Sequence, residues 1–307
     1  VSEEQSSSDG DEDGEGKRDE DSLGEGSNPK GDGFKLTSLN VLVADFTPAP
    51  FKVTTELNGK TFRPDDTLKI ESRAELHSGG PYADAAAQAT VTLRNRTFAP
   101  DTNIAKNFTF GSAGQSSEQL FQTTGLLNDK GEWNTPYTIP AQTIYYGSLE
   151  VESAVQDDRG KSVASVSSAA FFGVDRFVGL KSEQWFYESK KPVTLKTLVV
   201  DEKGNAVPND KIEVNIEFES VNVAKVKGAG NAYTSDVTRE WKQVATCSNL
   251  SKAEEGNCTF TPAAAGSYRA IATTKDTKGR EHKTEISLWV SGADYVQWTD
   301  DEKLSLP

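Results

Sequence analysis

A strict alternation of apolar and polar side chains runs through residues 211–219, and it constrains the fold more than any other feature of the sequence. The segment KIEVNIEFE places Ile212, Val214, Ile216 and Phe218 at every second position. Successive side chains of a β-strand point to opposite faces, so this period predicts a strand with one face in a core and the other in water. A single apolar sheet face cannot be buried alone, and a second sheet must therefore cover it.

A hairpin-like unit occurs twice in the chain. The stretch GSLEVESAVQDDRGKSVASVSSAAFFGVD at residues 147–175 matches GSYRAIATTKDTKGREHKTEISLWVSGAD at residues 266–294. In each copy two extended segments flank D-x-x-G, in which Asp can bond the turn backbone and Gly can take a positive φ. The preceding halves also match, for example Leu68 with Val193, once a difference in loop length is allowed. The sequence therefore predicts a duplicated unit, a tandem repeat.

Further strand-like runs recur along the chain, among them FKVTTEL, TLKIESRAEL, QATVTLRN and VTLKTLVV. Long helical patterns are absent. The one helix-like stretch is PYADAAAQA at residues 81–89, and we expect a loop with at most one turn there because the other copy carries the turn residues AVPNDK. Short strands punctuated by Gly and Pro indicate an all-β chain made of two tandem antiparallel β-sandwiches.

The N-terminal segment is strongly acidic. Residues 1–36 hold 12 acidic and 4 basic side chains, which is −8 of the net −14 of the chain. Residues 9–20, DGDEDGEGKRDE, match an EF-hand calcium loop, but no helical pattern flanks them and loop position eight is Gly16. A disordered acidic linker over residues 1–37 is therefore favoured over weak cation association and over a folded calcium loop.

The rest of the chain has an ordinary, mildly acidic composition, which argues against nucleic acid as a partner. No apolar run approaches the roughly 18 residues of a membrane span, so we expect no membrane contact by this segment. The chain contains no Met, and it begins inside the acidic segment. From this we expect a fragment of a longer chain, in which residues 299–307 link to a following domain.

The two cysteines, Cys247 and Cys258, bracket the polar stretch SNLSKAEEGN between two strand-like segments. A hairpin disulfide fits this spacing, and it would imply an oxidising compartment such as a periplasm or the cell exterior. Free thiols and a metal site are the alternatives. A zinc site would need more thiols or imidazoles than the sequence supplies, since His77 and His282 are the only histidines.

The shortage of histidines and cysteines also argues against an enzyme. A Ser-His-Asp or Cys-His site would have to use one of the two histidines. His77 lies in the turn-like ELHSGG and His282 follows DTKGR, so we expect both to be solvated loop residues. The sequence therefore predicts no enzyme, no catalytic residue, no metal site and no cofactor.

Several segments together resemble the macroglobulin-like domains of bacterial alpha-2-macroglobulins. The run VADFTPAPFKV at residues 43–53, followed by HSGGPYADA, resembles the opening of one such domain. RFVGLKSEQWFYESKKPVTLKTLVVDEKGNAVPNDKIEVNIE at residues 176–217 is similar to the opening of the next, and CTFTPAAAGSYRAIATTKDTKGREHKTEISLWVSG at residues 258–292 to its later part. The resemblance covers residues 38–298. The acidic N-terminal segment has no counterpart in the family pattern.

The resemblance implies two consecutive sandwiches of the fibronectin III or immunoglobulin-like macroglobulin type, placed before the domain that carries the bait. By the same resemblance they would belong to a large periplasmic protease trap built from seven-stranded sandwiches, in which cleavage of an exposed bait frees a thioester that captures the protease. The family thioester motif Cys-x-Glu-Gln is absent here, since the cysteines lie in CSNL and CTFT. The pair Cys247 and Cys258 is the one feature that carries over.

We therefore expect macroglobulin-like sandwiches at residues 38–174 and 175–298, forming a non-catalytic scaffold fragment of a broad-spectrum endopeptidase inhibitor. Its expected partners are other domains of the parent chain and the proteases that the parent traps. Its expected location is the bacterial periplasm, cell envelope or exterior, with any membrane anchor elsewhere in the parent. The alternative function is a spacer or adhesion module of a secreted or surface protein, since tandem sandwiches also suit that role.

Overall fold

The computed structural model describes residues 48–111, 114, 116–227 and 233–292. Within these ranges the chain forms strands and turns and contains no helix, which confirms the predicted all-β class. No helix long and apolar enough to cross a membrane is found in the described residues. The acidic linker expected at residues 1–37 and the linker expected at residues 299–307 lie outside the described ranges.

The first half of the described chain contributes nine strands. They are β1 (Phe51–Leu57), β2 (Thr61–Phe62), β3 (Thr67–Leu76), β4 (Ala86–Asn95), β5 (Thr109–Phe110), β6 (Ser117–Leu126), β7 (Glu132–Thr138), β8 (Tyr146–Gln156) and β9 (Ser162–Phe172). Apart from β5, they form two sheets with the strand orders β1-β3-β7 and β2-β9-β8-β4-β6. Both sheets contribute to one apolar core, Leu68 and Ile70 from the smaller sheet and Val91 and Leu149 from the larger. This pair of sheets is called sandwich 1.

The second half contributes eight strands. They are β10 (Phe177–Ser182), β11 (Phe186–Glu188), β12 (Val193–Val200), β13 (Lys211–Lys227), β14 (Tyr233–Leu250), β15 (Gly256–Phe260), β16 (Gly266–Lys275) and β17 (Glu281–Ser291). Their sheets have the orders β15-β12-β10-β5 and β11-β17-β16-β13-β14. Leu195 of the first sheet and Val214 and Ala270 of the second share one core. This pair of sheets is called sandwich 2.

The alternation that runs through residues 211–219 produces the expected burial. Ile212, Val214 and Ile216 are buried in β13, and Phe218 packs against the same core. The intervening side chains stay at least partly exposed. The strand therefore presents one face to the sheet formed by β10, β12 and β15, as the period of two requires.

Three details of the strands go beyond what the sequence predicts. Residues 86–89, at the end of PYADAAAQA, are not a loop but the start of β4, because pairing with β6 and β8 overrides the helix preference of alanine. The sheets are not purely antiparallel, since the short strands β2 and β11 pair in parallel with β9 and β17. The segment Thr109–Phe110, for which no strand is predicted, forms β5 and joins a sheet of sandwich 2.

The strand orders of the two sandwiches correspond once β5 is set aside. Strands β1, β3 and β7 take the places of β10, β12 and β15, and the five-stranded sheets correspond in the same way. The hairpins β8–β9 and β16–β17 also share a turn in which Gly160 and Gly279 have φ of 81° and 78°. Only the β5 segment breaks this correspondence, and it lies where the two sandwiches meet.

Candidate functional site at the junction of the two sandwiches

The expected disulfide between Cys247 and Cys258 is present, with 5.7 Å between the Cα atoms. It is not a hairpin disulfide, however. Cys247 lies in β14 and Cys258 in β15, and these strands belong to different sheets because β15 pairs with β12. The chain between the cysteines is therefore an arch from one sheet to the other, and the disulfide links the two layers of sandwich 2.

Strand β5 is the first element of the junction. It leaves sandwich 1 in the long connection between β4 and β6 and pairs with β10, setting Phe110 opposite Gly179 and Thr109 opposite Leu180. A Cβ atom on Gly179 would lie 2.6 Å from the Phe110 ring, so only glycine leaves room for that ring. Sandwich 2 thus depends on sandwich 1, because it takes an edge strand from the chain of sandwich 1.

Aromatic side chains fill the space between the sandwiches. Phe98 of the β4–β6 connection stacks on Phe177 of β10 with 3.9 Å between the ring centroids. The rings of Phe110, Tyr146 and Phe172 meet Phe98 edge to face. Phe98, Phe110 and Phe177 are buried together with residues of both sandwiches, so a third apolar core lies at the junction. Burial of large rings is among the strongest contributions to a protein interface.

His282 is buried in this junction, which corrects the expectation that it is a solvated loop residue. The sequence gives no sign of this because the groups that cover His282 come from distant parts of the chain. It lies in β17, is 1% exposed, and has the rings of Tyr145 and Phe177 at 4.7 and 5.0 Å. Burial lowers the pKa of His282 from 6.5 to about 3. His77, by contrast, lies exposed in a turn, as expected.

The neutral imidazole has a clear structural role. The backbone N–H of Val178 donates to Nδ1 of His282 at 3.1 Å. The hydroxyl of Thr284 donates to the carbonyl of the same Val178 at 2.6 Å and accepts from the N–H of Gly111 at 2.8 Å. These bonds satisfy the polar groups of β10 that point away from β12, and they connect the β5 segment to both sheets of sandwich 2.

Polar contacts surround the aromatic core. The guanidinium of Arg63 in sandwich 1 is bidentate to the carboxylate of Glu202 in sandwich 2, with Nε to Oε1 at 2.7 Å. The hydroxyl of Thr102 donates to the carbonyl of Gly204 at 2.8 Å. Because the Arg63 pair is partly exposed, it orients the sandwiches more than it stabilises them.

The segment between the sandwiches is held by the β16–β17 turn. The carboxylate of Asp175 accepts from the N–H of Thr277 at 3.3 Å and from its hydroxyl. In the same turn, Oδ1 of Asp276 accepts from the N–H groups of Lys278 and Arg280 at 2.9 and 2.8 Å. Burial alone would raise the pKa of Asp276, but these bonds and the Arg280 guanidinium lower it below its usual value.

The polar groups at the centre of the junction are bonded to one another. Nδ1 of His282 already accepts a backbone hydrogen bond. Among the described residues, no group of three or more His, Cys, Asp or Glu side chains could hold a metal ion. What the junction can do is mechanical, since it fixes one sandwich against the other through a shared strand, a shared apolar core and a buried hydrogen-bond network.

The sequence holds one signal for this junction in the connection between β4 and β6. The paired strands β4 and β6 are far apart in the chain, and the described part of the sequence between them carries Phe98, Ile104, Phe108 and Phe110. Long connections inside compact proteins usually have a role of their own. A connection of this length that carries several large apolar side chains predicts contact with something outside its own sandwich.

The fold and the junction together define a class of protein, an all-β chain of paired sandwiches joined through a shared edge strand. No protein-family model matches the chain. It is 23% identical over 269 residues to an alpha-2-macroglobulin homolog from Nostoc sp., which covers 85% of this chain and 14% of that protein. The chain therefore spans about a seventh of the length of the curated relative that it matches.

Solved structures point in the same direction. The chain superposes on a mutant of Salmonella alpha-2-macroglobulin with a TM-score of 0.55 and 14% identity, over 80% of this chain and 17% of that one. It superposes on Escherichia coli alpha-2-macroglobulin activated by porcine elastase with a TM-score of 0.54 and 17% identity, over 82% of this chain and 22% of that one. The chain therefore shares its fold with segments of bacterial alpha-2-macroglobulins.

Proposed function

We propose that this chain is a non-catalytic scaffold segment of a bacterial alpha-2-macroglobulin-type protease inhibitor. The observation that carries the proposal is the junction, in which β5 of one sandwich completes a sheet of the other. The sequence match to an alpha-2-macroglobulin homolog supports it, and so does the fold shared with a protein that porcine elastase activates. The bait and the thioester that the family resemblance implies would lie in other parts of the parent.

The segment comprises two macroglobulin-like sandwiches, at residues 38–174 and 175–298, that arose by duplication. Their matching strand orders support this. So do two isolated bridges, Glu75–Pro81 and Val200–Ala206, which lie at the same sequence offset as the matching strands. By sequence β5 belongs to sandwich 1, and by sheet pairing it belongs to sandwich 2. The two sandwiches therefore act as one mechanical unit.

The role of that unit is to hold neighbouring parts of the parent in their uncleaved arrangement and to move as one body when the bait is cut. Its partners are other domains of the same parent chain, and the proteases are partners of the parent as a whole. The disulfide fits an oxidising compartment, the periplasm, the cell envelope or the exterior.

The test compares the parent protein with the 307-residue chain. The parent should inhibit porcine elastase stoichiometrically toward a protein substrate, whereas the 307-residue chain should not inhibit it at any molar ratio. Stoichiometric inhibition by the 307-residue chain would disprove the scaffold role. A parent that elastase cuts without inhibition or change of shape would instead favour the spacer or adhesion module.

The mechanical role has a test of its own in the parent. Phe110→Ala removes a buried ring of the junction. It should change the rate at which the parent converts after elastase cleavage, read as a mobility shift on a native gel. Phe186→Ala is the matched control, because this ring is 63% exposed on β11. Equal conversion rates in the two variants and the wild type would contradict a mechanical role for the junction.

A further inference from the structure

Strand β1 is an edge strand, and one of its sides has no pairing partner among the described strands. It ends the sheet β1-β3-β7. The N–H of His77 in the adjoining segment donates to the carbonyl of Pro50 at 2.9 Å, which sets the alternation of the antiparallel ladder. The backbone groups of Val53 and Thr55 therefore point away from β3. Among the described residues, no strand pairs with that side of β1.

The corresponding edge of sandwich 2 is fully covered. Val178 and Leu180 of β10 occupy the places that Val53 and Thr55 have in β1. Leu180 is paired with Thr109 of β5. The outward N–H and carbonyl of Val178 are bonded to His282 and Thr284, as described above. The same position in the fold is thus paired with a strand in sandwich 2 and with no described strand in sandwich 1, where Val53 is half-buried and Thr55 is 7% exposed.

The strands that face these edges from the opposite sheets, β17 in sandwich 2 and β9 in sandwich 1, differ in burial in the same way. His282 and Thr284 of β17 are 1% and 0% exposed under the β5 segment. Their counterparts in β9, Val163 and Ser165, are only half-buried. One bond crosses this corner of sandwich 1, from the hydroxyl of Thr55 to the carbonyl of Ser165 at 3.0 Å. The corner between β1 and β9 therefore has the form of the β10–β17 corner without its inserted segment.

We propose that the outer edge of β1 is a strand-addition site, filled by an extended loop segment of a preceding macroglobulin-like sandwich in the parent chain. The occupant is inferred from the relation within this chain, in which the β4–β6 loop of one sandwich caps the next. The proposal rests on the proposed function, because it needs a parent with further sandwiches. The curated relative, of which this chain covers 14%, is long enough for them.

The chemistry of the edge defines what fits there. The occupant supplies backbone N–H and carbonyl groups to Val53 and Thr55, as in other strand additions. Thr54 takes the place of Gly179, the residue that makes room for the Phe110 ring. The occupant therefore carries a small side chain where β5 carries Phe110. A pairing of so few residues is weak between separate molecules, and a covalent tether makes it effective.

The experiment measures hydrogen exchange in the peptide covering residues 51–57, in the parent and in the 307-residue chain. We expect exchange in the parent to be slower by about tenfold or more, since a paired amide exchanges only on opening. The Leu180 amide is the internal reference, because it is already paired. Val53→Pro removes an outward N–H and should return the Thr55 amide in the parent to its rate in the 307-residue chain.

Three results would overturn the proposal. Equally fast exchange of the Thr55 amide in the parent and in the 307-residue chain would mean that nothing fills the edge. Protection that is already present in the 307-residue chain and independent of its concentration would mean that the chain's own residues fill the edge. Protection in the 307-residue chain that rises with its concentration would mean that a second copy fills the edge. The readout does not involve a protease, so a parent that fails to inhibit elastase can still show a protected β1 edge.

Discussion

Lowering the pH from 7 to 5 should destabilise this protein through His282. Burial holds its pKa at about 3, whereas the unfolded chain has an ordinary value of 6.5. Between these values the unfolded state binds more protons, so stability rises with pH and is lost as the pH falls through that window. At pH 5 the unfolded histidine is almost fully protonated, and the loss relative to pH 7 is about 2 kcal/mol.

The assay is urea unfolding at pH 7, 6 and 5. His282→Asn is the informative variant, because the Asn Oδ1 can accept the Val178 N–H in place of Nδ1 without titrating. Between pH 7 and pH 5, the free energy of unfolding of this variant should fall by about 2 kcal/mol less than that of the wild type. His77→Asn, at an exposed turn, should keep the wild-type pH dependence.

The carboxylates of the turns do not titrate in the folded protein between pH 7 and pH 5. The pKa values of Asp157, Asp201 and Asp276 lie below the ordinary value of 3.8, so these groups stay charged above pH 5. An identical loss of stability in the wild type and in His282→Asn would refute the reasoning. It would mean that His282 is protonated in the folded protein or that the junction opens before unfolding.

Three further predictions concern the junction and sandwich 2. Gly179→Ala should cost about 1–3 kcal/mol by thermal unfolding, because its Cβ would collide with the Phe110 ring. Reduction of the Cys247–Cys258 disulfide, which closes a separation of 11 residues, should cost about 3 kcal/mol in urea, since the unfolded chain regains its freedom. Asp276→Ala should cost about 1–3 kcal/mol, because it leaves the turn N–H groups without their acceptor.

Each of these has its own control. Gly114→Ala adds a Cβ that meets no atom within 4 Å, so it should leave the melting temperature unchanged, and an equal loss in both glycine variants would exclude a steric cause. A Cys247→Ser, Cys258→Ser chain should be insensitive to reductant. Asp158→Ala alters the neighbouring position of the other hairpin turn, where the side chain is exposed, and should be near neutral.

The strands could be predicted from sequence where one face of a sheet is buried within its own sandwich. The period of two is then visible, as for Ile212 and Val214 in β13. The start of β4 could not, because an alanine-rich segment has no alternation and its neighbours decide its conformation. The disulfide pair could be predicted, but not that it joins two sheets, since sequence does not reveal which strand β15 chooses.

The junction escaped prediction for a different reason. Strand β5 is two residues long and shows no pattern, and its pairing partner lies about seventy residues further along the chain. His282 follows a predicted turn and looks exposed until Tyr145 and the β5 segment cover it. Contacts between the sandwiches do not produce a periodic pattern of apolar residues in the sequence. Such patterns therefore predict the strands of each sandwich but not how the two sandwiches contact each other.

The β5 segment also bears on how the chain acquires its structure. The hydrogen bond from Gly111 to Thr284 spans 173 residues, so a ribosome must synthesise nearly all of sandwich 2 before this loop can reach its final place. Closures over such distances slow folding and prolong the exposure of apolar side chains. If sandwich 2 were expressed alone from residue 175, β10 would lack its pairing partner β5. An unpaired strand edge of this kind promotes aggregation.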